Sequence, residues 1–176
     1  MSEKREIVVD VNNKVIGAKF WCDMTDDDFY RVSSLWVVIP NGAKYDVLIA
    51  QRKLTKKKNP GKWGPSVAGT IEEGETYEEN IIKEAREEIG LTDIKIAPIN
   101  EVPLRRGCTC RHFTMTYITI GNWKLSDFTP QESEVENLDI VPIDDLLSDT
   151  SINPEKYLPN FHSKVVELNE YLENRK

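Results

Sequence analysis

Polar and apolar residues alternate through most of the chain, and a helical period replaces that alternation in only a few places. The opening run REIVVDVNNKVIGAKF alternates on either side of Asn12-Asn13, residues that tolerate a left-handed backbone, which predicts a hairpin over about residues 5–20. TDDDFYRV, with Thr25 as a cap and acids in the first turn, predicts a short helix. SSLWVVIP then reads as an apolar strand closed by Pro40 and the turn Asn41-Gly42, and KYDVLIAQRK as the strand that returns from it. The basic stretch LTKKKNPGKWGP, rich in Pro and Gly, reads as a surface loop able to border a site. Downstream, DIKIAPINEVPL and CTCRHFTMTYITIG read as strands, DFTPQESEVENL as an acidic loop, and DIVPIDDLLS as a strand followed by a short helix. Phe161, Val165, Leu168 and Leu172 recur at helical spacing and predict a closing helix over about 160–174. No internal repeat is visible, and the sum is a mixed α/β chain with helices packed on a sheet.

Between Gly69 and Leu91 the pattern changes to GTIEEGETYEENIIKEAREEIGL, a segment crowded with glutamate. Thr76 followed three residues later by Glu79 is a capping-box pattern, and Gly90 suits a helix terminator, so the spacing predicts a helix from about Tyr77 to Ile89. At about 100 degrees per residue, Ile81, Ile82, Ala85 and Ile89 form the expected buried face. Glu84, Glu87 and Glu88, at i, i+3 and i+4, share a second face. Carboxylates this close repel by some tenths of a kcal/mol per pair when solvated, and by more when partly buried. Either the face is solvated and tempered by Lys83 and Arg86, or it holds a hard divalent cation, which prefers oxygen ligands.

Composition narrows the field. A chain of 176 residues with 39% hydrophobic and 30% charged residues is expected to fold as one domain, 1–176. A net charge of −7 disfavours attraction to phosphate backbones, so nucleic acid is not expected as a partner. An anionic ligand would need a bound cation or a local basic patch such as Arg52, Lys53, Lys56, Lys57 and Lys58. The N-terminus lacks a signal-like apolar stretch and no run approaches the roughly 18 apolar residues of a membrane span, so a cytoplasmic protein without membrane contact is expected. Three cysteines, Cys22, Cys108 and Cys110, fit reduced thiols rather than a disulfide framework. Cys108, Cys110 and His112 alternate onto one strand face, but Cys-x-Cys is not usual zinc spacing and no fourth ligand is evident, which favours a structural role. Trp36, Trp63 and Trp123 read as core or loop anchors.

Gly69, Glu75 and Lys83-Glu84-Ala85-Arg86-Glu87-Glu88-Ile89-Gly90-Leu91 stand at the separations of the Nudix box, G-x5-E-x7-R-E-U-x-E-E-x-G-U with U apolar, and the chain closely resembles the Nudix hydrolase family. One fixed position departs: Lys83 stands where the family has Arg, and it supplies the charge without the planar two-pronged hydrogen bonding of a guanidinium. The resemblance implies an α/β/α sandwich, a mixed sheet with helices on both faces, in which the box holds Mg²⁺ or Mn²⁺ against a small-molecule diphosphate. Carried over, Glu84, Glu87 and Glu88 are the metal-binding carboxylates with the backbone of Gly69 nearby, and Glu75 and Lys83 orient the box. Arg52 and Lys53 are candidates for substrate contact, and the general base is Glu134, in a loop before the last strand, or Glu87 or Glu88. Family members often form dimers, so a homodimer is compatible with the resemblance.

Most of residues 5 to 150 further resemble the isopentenyl diphosphate isomerase branch, through QRKLTKKK and NPGKWGPSVAGTIEEGE. That branch needs a Cys where this chain has Ala68 and a His where it has Thr70, and the only histidines here are His112 and His162. The expected activity is therefore hydrolysis of a nucleoside diphosphate linked to a moiety X. Isomerase-like chemistry on a prenyl diphosphate and a non-catalytic nucleotide-binding module are the alternatives.

Overall fold

The computed structural model describes residues 4–102 and 111–175. Strands β1 (Arg5–Val9) and β2 (Val15–Phe20) form the N-terminal hairpin, with Asn13 in the left-handed region at φ 63. The long strand β3 (Phe29–Asn41) turns through Gly42 into β4 (Lys44–Arg52). Short strands β5 (Trp63–Gly64) and β6 (Val67–Thr70) lead to helix α1 (Tyr77–Ile89). There follow β7 (Ala97–Val102), β8 (His112–Ile120), β9 (Val135–Pro142), α2 (Ile143–Ile152) and α3 (Phe161–Glu173).

β3 organises the sheet. Consecutive stretches of it pair antiparallel with β1, β6 and β4, while β8 runs parallel to it from Tyr30↔His112 to Val38↔Ile120. β7 extends the sheet beyond β8 and β9 beyond β4, so the sheet is mixed. β3 is apolar on both faces because both are covered. Leu35, Val37 and Ile39 pack with Ile81, Ala85 and Ile89 of α1, whereas Trp36 and Val38 pack with Ile143 and Leu146 of α2 and Phe161, Val165, Leu168 and Leu172 of α3. The result is the α/β/α sandwich. Asn160 gives α3 no side-chain cap, a contribution of about 1 kcal/mol where present. Its four buried residues contribute on the order of 6–12 kcal/mol gross, so packing rather than capping fixes α3. Among the described residues, no helix is long and apolar enough to cross a membrane.

The structure departs from the sequence expectations in three places. No helix forms at Thr25: the Asp28 carboxylate accepts from the Thr25 N–H (2.7 Å) and hydroxyl (2.9 Å) and from Lys19 Nζ (2.7 Å), closing a tight turn before β3 starts. Sheet pairing with β1 and β8 then outweighs the local capping signal. On α1, Ile82 is 46% exposed and Asn80 is fully buried in its stead. The acidic loop is shorter than expected, since β9 already pairs with β4 at Val135↔Arg52 and Phe128 is buried under α1. Cys108 and Cys110 lie outside the described residues. Trp36 is core, Trp63 packs against the α3 cluster, and Trp123 lies against Gly121 and Phe128.

Candidate functional site

α1 begins with the expected capping box: the Thr76 side chain accepts from the Glu79 N–H (3.2 Å), and the Glu79 carboxylate accepts from the Thr76 N–H (2.9 Å). It ends at Gly90 in the left-handed conformation, φ 71, with the Leu91 N–H donating to Ala85 O. These two stops fix the rotation of the helix, and with it the direction of every carboxylate it carries. Asn80, Glu84 and Glu88 follow one another at four-residue spacing on the side next to β6.

The closeness of that approach is set by Gly69. A Cβ there would collide with Glu84 Cγ, lie 2.7 Å from Glu84 Cδ and 3.0 Å from Asn80 Oδ1. Glu84 is thus laid directly over the β6 backbone, its side chain only 16% exposed, and burial raises its pKa above the ordinary carboxyl value. Glu88 accepts a hydrogen bond from the Ala68 N–H, yet burial first, then the charges of Glu84 and Glu134, push it up to about 8. Glu87 is exposed. The three box glutamates therefore share one end of α1 without enclosing a cage: among the described residues, no three His, Cys, Asp or Glu side chains converge closely enough to hold a cation by themselves.

The donor set nonetheless suits a hard cation. Mg²⁺ is ordinarily held by one or two carboxylates together with waters and substrate phosphates, without an all-protein cage. Glu84 and Glu88 are largely buried carboxylates with raised affinity for protons, and the missing Gly69 side chain lets Glu84 lie directly against the β6 backbone.

Lys83 occupies the position of the box arginine. Its Nζ donates to Glu75 Oε1 (2.6 Å) and Glu72 Oε1 (2.8 Å) and stands 3.6 Å from Glu84 Oε1. Burial alone would lower its pKa; the hydrogen bonds to Glu72 and Glu75 outweigh it and hold the ammonium above its ordinary value. Glu75 is gripped on its other oxygen, which accepts from Asn80 Nδ2 (2.8 Å) and the Glu72 N–H (3.1 Å). Asn80 also donates to Thr70 O (3.0 Å) and accepts from Ser33 Oγ (2.5 Å), tying the box to β3 and β6.

The basic loop and the acidic loop face each other beside Glu88. Arg52 Nε donates to Lys58 O (3.2 Å), and its charge favours the ionised form of Glu88. Lys53 pairs with Glu136 at 3.3 Å, and Lys56 pairs with Glu134. The structure thus brings together Arg52, Glu88 and Glu134, while Lys53 points to Glu136 instead. Sequence reasoning missed Asn80 and Glu72. Asn80 carries a usable signal, standing one turn before Glu84 on the same side; Glu72 carries none, since its role follows from the fold.

His112 packs against Tyr30 at 5.3 Å between ring centroids, Tyr30 against Trp21 at 5.5 Å, and Lys58 Nζ lies 5.2 Å from the Trp21 ring centre. Burial, then the charges of Lys164 and Lys58, push the His112 imidazole down to about 4.

Comparison with known proteins is consistent with this geometry. A family model described as NUDIX domain matches residues 30–161. The isopentenyl-diphosphate Delta-isomerase of Salmonella heidelberg is 31% identical over 101 residues, 56% of this chain and 54% of its own length. The chain thus spans about half the length of the curated relatives it matches. Among solved structures, a Deinococcus radiodurans protein superposes with a TM-score of 0.77 at 20% identity, covering 92% of this chain and 96% of that one. The NUDIX domain of Shewanella oneidensis NrtR, complexed with ADP ribose, gives 0.65 at 17%, covering 82% and 88%. A C. elegans Ap4A hydrolase gives 0.59 at 15%, covering 82% and 98%.

Proposed function

Because the chain belongs to the Nudix hydrolase family, we propose that it is a Mg²⁺- or Mn²⁺-dependent diphosphohydrolase acting on a nucleoside diphosphate linked to a moiety X. The observation that carries this reading is the seating of Glu84 and Glu88 against β6 at a glycine with no room for a side chain. When bound, the cation neutralises charge on the phosphate oxygens and makes an attacking water more acidic.

The chain's own residues do the rest. Glu84, Glu87 and Glu88, with the Gly69 backbone, hold the cation. Glu75 and Lys83 keep α1 and the preceding loop in register. Arg52 faces the phosphates from the end of β4, with Lys53 beside it. Glu134, whose charge is felt by Glu88, accepts the proton of the attacking water, with Glu87 or Glu88 as the competing base. A P–O bond breaks, leaving a nucleoside monophosphate and a phosphorylated remainder. The Shewanella domain is complexed with ADP ribose and the C. elegans protein is an Ap4A hydrolase, ligands of this chemical class.

The test is release of monophosphate from a panel of nucleoside diphosphate derivatives in the presence of Mg²⁺, with Glu87→Gln and Glu88→Gln as controls. Unchanged turnover in both variants refutes the assignment. The curated relatives favour a second reading, isomerisation of a prenyl diphosphate. Ala68 and Thr70 offer neither thiol nor imidazole for that proton transfer, and deuterium exchange from solvent into isopentenyl diphosphate would establish it.

A further inference from the structure

The N-terminal hairpin precedes the span matched by the family model, yet the first half of β1, Arg5 to Ile7, is stitched to the box loop. The Ile7 N–H donates to Ile71 O (3.0 Å), the Glu73 N–H donates to Arg5 O (2.7 Å), and Glu6 pairs across to Glu72. At the hairpin turn, the Asn13 carbonyl and side chain accept from Arg31, whose guanidinium lies over the Tyr77 ring at the start of α1. The strand edge therefore presents Lys4 at a fixed place, and its Nζ donates to Glu72 Oε1 at 2.7 Å.

That oxygen is the one Lys83 also uses. A single carboxylate oxygen bridges two ammonium groups, one from the hairpin and one from the box. The count of charges shows why. Glu72, Glu75 and Glu84 all lie within 4 Å of Lys83, three carboxylates against one cation, whereas a guanidinium would offer five N–H donors in a planar fork. We propose that Lys4 is a positioning residue of the box: by sharing Glu72 it supplies the second cationic contact that Lys83 lacks, leaving Lys83 free to hold Glu75 and stay beside Glu84. The ordinary arginine of the box is replaced by two lysines from distant parts of the chain. The inference rests on the reading of Glu84 as a cation ligand.

The direction of one effect separates this role from simple electrostatics. Removing a nearby positive charge through space strengthens cation binding at the carboxylates; loosening the box weakens it. The probe is Mn²⁺ alone, titrated into the metal-free protein and followed by electron paramagnetic resonance, in native protein, Lys4→Met, Lys83→Arg and the double variant. Lys4→Met is expected to weaken Mn²⁺ binding several-fold, Lys4→Arg to restore it, and Lys4→Met in the Lys83→Arg background to change it less than twofold. Unchanged or tighter binding in Lys4→Met overturns the proposal, as does an equal loss in both backgrounds, which would mark a general weakening of the hairpin. Absence of Mn²⁺ binding by the native protein would instead defeat the hydrolase reading. The coupling between the two lysines would then still be read from thermal midpoints of the four metal-free proteins, additive midpoints refuting it.

Discussion

Replacing Glu6 by glutamine removes one charge from the crowded edge where β1 meets the box loop. In the native chain Glu6 Oε2 is buried and, among the described residues, has no hydrogen-bond partner. Burial first, then the charges of Glu72 and Glu75, push the carboxyl from 4.5 to about 7, against the opposing pull of Lys83 and Lys4. An acid with a raised folded-state pKa holds its proton more tightly folded than unfolded. Below pH 4.5 it is neutral in both states and nothing is lost; above pH 7 it is ionised in both, and the folded state bears the full cost. At about 1.4 kcal/mol per pKa unit, a rise from 4.5 to about 7 corresponds to roughly 3.5 kcal/mol, which solvent screening of this half-buried carboxyl reduces to on the order of 2–3 kcal/mol. For a chain of this size that corresponds to roughly 5–10 °C in thermal midpoint. Glu6→Gln keeps the shape, carries no charge and offers N–H donors to Glu72. Thermal unfolding of the metal-free protein, followed by circular dichroism, should therefore show the variant more stable by about that amount at pH 8 and indistinguishable from native near pH 4.5, the gap opening between. A gap that stays constant with pH, or a variant that is less stable at pH 8, refutes the argument.

The site yields further expectations. Glu88, held up to about 8, carries a proton near neutral pH, so Mn²⁺ binding at pH 7 should release close to one proton, measured by calorimetry in buffers of different ionisation enthalpy. Glu88→Gln should abolish that release. Gly69→Ala forces the new methyl into Glu84, and is expected to cost about 1–3 kcal/mol in denaturant unfolding and to weaken Mn²⁺ binding more than tenfold. Asn80→Ala strands the Ser33 hydroxyl and the Thr70 carbonyl and releases Glu75; unfolding should become easier by about 1–3 kcal/mol, with turnover falling while KM stays near native.

The helix α1 was legible because its signals are local: Thr76 and Glu79 cap it, Gly90 ends it, and the box residues follow one another at fixed spacing. The sandwich was legible through its family resemblance and through continuous apolar strands such as Leu35–Ile39. What failed was decided at long range. Thr25 and its acids look like a helix start, but Asp28 is captured by Lys19 from the hairpin and the following residues by β1 and β8. Ile82 looked buried on period alone, yet Asn80 takes the inner position because Ser33, Thr70 and Glu75 supply partners for its amide. Lys4, Glu6 and Glu72 carry no motif, and only the pairing of β1 with the loop brings them to Lys83.

The parallel pairing of β3 with β8 bears on how the molecule is made. Its partners, Tyr30 and His112 at one end, stand roughly eighty positions apart, a long loop to close and a feature of slow-forming topologies. α1 lies inside that loop, and the sheet face on which it rests includes Tyr117 from β8. During synthesis the carboxylates of α1 must therefore wait, tethered to an incomplete floor, until more than half the chain has emerged. Nascent chains ending before β8 should show no appreciable retention of Mn²⁺, while chains extended past α3 should acquire it in one step.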